Sequence, residues 1–111
     1  METSVDRRDD VSIVHVSGSV DGLTADDLQR VFAGEVEAGH HKVVADFGAV
    51  DYTSSAGLRV LLATLKQTRS RGGDLRLAGP NPEVRKVLEL SGFTGILRVF
   101  DTADDAVTSF R

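Results

Sequence analysis

The stretch "VDYTSSAGLRVLL", Val50 to Leu62, decides how this chain is read. Before it lies "KVVADFGAV" (42–50), a nearly continuous apolar run of the kind found in a strand buried on both faces. After it, Leu58, Leu61, Leu62 and Leu65 recur at helical spacing, Arg59, Lys66, Gln67, Arg69 and Arg71 fill the other positions, and Gly72-Gly73 supply a stop. Ser54 and Ser55 therefore sit on a strand-to-helix turn. Serines at that place can cap the helix, attack a substrate or carry a modification, and the local sequence leaves these roles open.

Working outward, "VSIVHVSG" (11–18) is rich in β-branched residues and reads as a strand, with "TSVDRR" (3–8) pairing to it as a hairpin through Asp9-Asp10. In "SVDGLTADDLQRVFAGEVEAG" (19–39), Thr24 with Asp27 three residues on resembles a capping box, Leu28, Val31, Phe32 and Val36 form an apolar stripe, and Gly39 ends the helix. "DLRLAG" (74–79) is a strand, "PNPEVRKVLELSGF" (80–93) a helix starting near Asn81 or Pro82, and "GILRVF" (95–100) a last strand. "DTADDAVTSF" (101–110) closes as a short helix with Asp101 as its expected N-cap. The order predicts one α/β domain over 1–111: a mixed, mostly parallel β-sheet of four to five strands packed with about four helices. In such sheets functional loops lie at the carboxyl ends of strands, where the serine turn falls.

Composition narrows the function. A net charge of -4 argues against binding to a phosphate backbone, which needs many Lys and Arg contacts. The absence of cysteine rules out disulfides, a thiolate nucleophile and Cys-type zinc sites. The longest apolar-rich segment, "LRVLLATL" (58–65), is too short for a membrane span, and the N-terminus lacks a signal-peptide pattern, so a cytoplasmic location is expected.

A catalytic reading of the serines is weak. A nucleophile elbow places Gly two residues before the serine, and Tyr52 and Thr53 stand there instead. The only candidate bases are His15, in a strand where alternation points it to solvent, and His40 and His41, in a polar connection. Two adjacent histidines make no complete metal site, and Asp26-Asp27 and Asp104-Asp105 read as first-turn acids that complement helix dipoles. No phosphate-binding glycine motif is present. Neither catalytic residues nor a metal or other cofactor is expected.

A serine at a helix N-terminus is also well placed to accept phosphate, which would add about -1.5 to -2 charges in one step. Here the residues match a family. The segments "GSVDGLTA" (18–25), "VVADFGAV" (43–50), "DYTSSAGLRVLL" (51–62), "RGGDLRLAG" (71–79) and "VRKVLELSGF" (84–93) resemble STAS domains, and among them the anti-sigma factor antagonists of bacterial partner-switching systems. The usual antagonist motif is Asp-Ser-Ser-Gly-Leu or Asp-Ser-Thr-Gly-Leu, modified on the serine after Asp. Aligned on Gly57-Leu58, that serine is Ser55, while Ser54 takes the place of Asp and becomes the alternative acceptor.

The resemblance implies a partner-binding surface of Asp21, Thr53, Ser54, Ser55, Ala56, Gly57 and Leu58. It also implies the partners: an anti-sigma factor that is a serine kinase, bound by the unphosphorylated antagonist so that a sigma factor is freed, and a PP2C-type serine phosphatase that resets the switch. No enzymatic activity is implied for the chain itself. The same family also contains scaffold and accessory domains, in stressosome-like assemblies or beside lipid-transport ABC systems, which bind a protein or lipid without a phosphorylation switch.

Overall fold

The computed structural model describes all 111 residues. The predicted buried run lies in strand β3, Lys42–Thr53, the middle strand of five in the order β1-β2-β3-β4-β5. Strands β1 (Glu2–Arg8) and β2 (Val11–Val20) form the antiparallel hairpin, and β2, β3, β4 (Asp74–Ala78) and β5 (Arg98–Phe100) run parallel. The helices are α1 (Ala25–Glu37), α2 (Ser55–Ser70), α3 (Pro82–Leu90) and α4 (Ala103–Thr108).

Strand alternation divides the core in two. Val43, Ala45 and Phe47 of β3 join Val14 and Val16 of β2, Leu75 and Leu77 of β4, and the apolar stripes of α1, α2 and α3 in the main cluster. Val44 points the other way and meets Val11, Ile13, Ala78 and the α4 residues Ala106 and Val107. The expected mixed sheet with four helices is what the chain builds. Phe32, Phe47 and Leu61 are fully buried, and each such side chain contributes roughly 1.5–3 kcal/mol of transfer free energy.

Four local expectations change. β3 continues past Val50 to Thr53, because β2 remains beside it as far as Val20, with register shifts after His15 and Gly18. β5 begins only at Arg98, since Phe93–Gly95 forms a 3-10 turn that buries Phe93 and Leu97 against the core. Thr102, and not Asp101, caps α4, its hydroxyl accepting from the Asp105 N–H at 3.1 Å. Thr24 occupies the N-cap position of α1 without capping it: its hydroxyl donates to the Ser19 carbonyl at 3.1 Å, while Asp27 pairs with Arg30. His15 is half-exposed as expected, and its Nδ1 lies 2.7 Å from Asp46 Oδ2.

Candidate functional site

The parallel pairing of β2 and β3 ends with Val20 opposite Thr53, so the chain leaves both strands at one level. The Ser54 N–H donates to the Val20 carbonyl at 2.8 Å, which ties the serine turn to the loop that opens α1. That loop is organised by Asp21, whose Oδ1 accepts from the N–H groups of Leu23 (2.9 Å) and Thr24 (3.1 Å). Asp21 thus stands beside the serine turn as a loop-shaping residue.

Gly57 lets helix α2 sit directly on the strand ends. A Cβ there would lie 2.3 Å from Thr53 Oγ1 and 2.8 Å from Val20 Cγ1, so any side chain forces the first turn of α2 outward. Thr53, Gly57 and Leu58 are themselves buried. They set the shape of the turn.

The two serines divide the remaining roles. Ser54 has extended backbone, φ -91° and ψ 178°, and its Oγ accepts from the Ala56 N–H at 3.2 Å: it is the N-cap of α2. Ser55 is the first helical residue and is exposed; its hydroxyl takes no part in capping and accepts only a long contact, 3.4 Å, from Arg59 Nη2. The first turn of α2 carries no acidic residue, whereas α1, α3 and α4 carry Asp26 and Asp27, Glu83, and Asp104 and Asp105. Negative charge added at Ser55 would meet an uncompensated helix N-terminus.

Between α1 and α2 runs an open groove of about 700 Å³ that includes Ser54, Ser55, Ala56 and Arg59 on one side and Ala25, Asp26 and Gln29 on the other. Two exposed apolar side chains flank the turn in the connected segments: Leu23, 92% exposed, in the loop before α1, and Tyr52, 53% exposed, near the end of β3. Sequence reasoning passed over Leu23, Tyr52 and Arg59. An apolar residue in a loop and a cation on a helix carry no signal by themselves, and of the three it is Arg59 that the fold brings into the groove with the serines.

No histidine can act as base for either serine. His15 lies opposite Asp46, eight residues upstream of Ser54 and so about 26 Å away along the strand direction, and His40 and His41 precede the start of β3. No helix is long and apolar enough to cross a membrane.

Residues 2–106 match the STAS domain family, and the chain belongs to it. It is 39% identical to the anti-sigma factor antagonist BtrV of Bordetella bronchiseptica over 111 residues, covering 100% of this chain and 96% of that one. An anti-sigma factor antagonist from Mycobacterium paratuberculosis superposes with a TM-score of 0.90 at 31% identity, covering 97% of this chain and 92% of that one. The fold is also that of the antagonist SpoIIAA, at a TM-score of 0.84 and 17% identity for its unphosphorylated form, over 99% and 96% of the two chains. A phosphorylated form of SpoIIAA superposes at 0.77, over 99% and 100%.

Proposed function

We propose that this protein is an anti-sigma factor antagonist switched by phosphorylation of Ser55. The observation that carries the reading is the division between the two serines: Ser54 spends its hydroxyl on the helix cap, and Ser55 offers an exposed hydroxyl whose one partner is the long contact from Arg59. The relatives named as antagonists support the class, and the existence of a phosphorylated SpoIIAA supports the switch.

In this reading the unphosphorylated turn, with Leu23 and the mouth of the α1–α2 groove, docks on an anti-sigma factor that is also a serine kinase, and the sigma factor is released. The kinase transfers the γ-phosphoryl group of ATP to Ser55 Oγ. The Oγ–P bond forms, the bond from the γ-phosphorus to the bridging oxygen breaks, ADP leaves, and the hydroxyl proton passes to a base of the kinase. The added charge desolvates badly in a close interface and drives the partners apart. A PP2C-type phosphatase hydrolyses the ester and restores the hydroxyl. The chain is substrate and ligand, and the catalysis belongs to its partners.

The test is incubation with Mg-ATP and each serine-kinase anti-sigma factor encoded in the same genome, followed by peptide mass spectrometry of the wild type, Ser54→Ala and Ser55→Ala. One phosphate on Ser55, retained in Ser54→Ala and absent from Ser55→Ala, is the expected result. A phosphate on Ser54 moves the site. Binding without phosphorylation by any kinase overturns the switch and favours a scaffold or accessory role.

A further inference from the structure

Seven of the ten arginines, Arg7, Arg8, Arg30, Arg69, Arg76, Arg85 and Arg111, are held by carboxylates, and Arg98 lies over the Phe100 ring. Arg59 is different. It forms no ion pair, and the single hydrogen bond of its side chain goes back one turn to Ser55 Oγ. The helix itself arranges this: Cα–Cβ bonds tilt toward the N-terminus, so a long side chain at position 59 leans over the residue four before it. Arg59 is the only cation lining the groove, and Asp26, across on α1, is its only carboxylate.

We infer that Arg59 is a built-in receptor for the phosphate on Ser55, closing over it as an intrahelical clamp when the serine is modified. The inference rests on the reading of Ser55 as the phosphorylated residue. In the unmodified protein the guanidinium meets a neutral hydroxyl at the limit of hydrogen-bond distance. A phosphoryl group places three acceptor oxygens one bond further out, toward the planar N–H fork that matches them two at a time. The contact changes from a long neutral one to a charge-assisted pair within the same turn. The ion pair spans the mouth of the groove, and the phosphate is withdrawn from any cation of the partner. The clamp thus makes the phosphorylated antagonist a self-contained state. Arg59 acts on the modified residue and is not a catalytic residue.

The test is to install phosphoserine at position 55 during translation, with no kinase involved, and to follow its second ionisation by phosphorus NMR in the wild type, Arg59→Gln and Arg59→Lys. The clamp predicts a phosphate pKa about half a unit lower in the wild type than in Arg59→Gln, roughly a threefold change in acidity, with Arg59→Lys in between. Identical titrations in the wild type and Arg59→Gln overturn it. Because position 59 is exposed, folding is preserved in each variant, which amide spectra verify. Because the phosphate is supplied without a kinase, a failed clamp leaves the kinase switch standing, and a failed kinase reaction leaves the clamp measured.

Discussion

The two ends of the parallel sheet are made of similar materials and put to different use. At the amino end the charges that begin the strands are held in pairs: Lys42 by Asp10 at 2.7 Å, and Asp74 by both Arg69 and Arg76 at 2.9 and 3.1 Å. Gly73 is pressed against the His41 carbonyl, where a Cβ would come within 1.9 Å. At the carboxyl end another glycine, Gly57, is pressed against Thr53 and Val20, yet the adjoining segments carry an exposed hydroxyl on Ser55, an exposed Leu23 and an Arg59 with no carboxylate. The same close packing that merely closes one end fixes, at the other, groups that the fold leaves uncommitted. A chain retains such groups at a cost in solubility or stability unless something else binds them.

The largest effect is expected at the glycine. Gly57→Ala forces a methyl into Thr53 and Val20 and is expected to destabilise the domain by about 1–3 kcal/mol, measured by urea denaturation. A loss below ~0.5 kcal/mol would show that the turn yields and that its shape is not fixed by packing.

Leu23 sharpens the functional side. Leu23→Ser is expected to leave the unfolding midpoint unchanged, because the side chain is 92% exposed, and to weaken binding to the anti-sigma factor about tenfold. Unchanged affinity by calorimetry would remove Leu23 from the interface.

The serines should separate in stability as they do in role. Ser54→Ala loses the cap of α2 and costs about 1 kcal/mol, whereas Ser55→Ala changes stability by less than ~0.5 kcal/mol. Equal losses on thermal denaturation would mean that the capping assignment is wrong.

The smallest effect lies at the amino end. The hydrogen bond from Lys42 lowers the Asp10 pKa below the ordinary carboxylate value, against a weaker opposing effect of desolvation. A lowered folded pKa contributes stability above the ordinary value that is lost as pH falls through the folded one. Lys42→Met should therefore lower the melting temperature slightly near neutral pH, and the gap to the wild type should close in acid. A gap that widened on acidification would contradict the pairing.

Much of this was legible in the residues. The apolar stripe of α2 and the β-branched runs of β2 and β3 specify elements because their periods are unambiguous, and their alternation specifies a layered sheet. The "GILRVF" segment misled, because Leu97 is apolar for a reason unrelated to a strand: it plugs the core just after the 3-10 turn Phe93–Gly95, ahead of β5. Asp101 and Thr102 are both good caps, and only the backbone decides between them. The turn itself was evident as a candidate site, but which of Ser54 and Ser55 caps the helix depends on which hydroxyl points at a backbone N–H, and that is a matter of φ and ψ rather than of residue type.

In the proposed switch, one phosphate on Ser55 turns the carboxyl-end surface off. Isothermal titration of the cognate ATP-bound anti-sigma factor with unmodified protein and with protein phosphorylated at Ser55 tests it most directly. The switch predicts tight binding by the unmodified form and a loss of about a hundredfold or more on phosphorylation. Equal affinities of the two forms would contradict it.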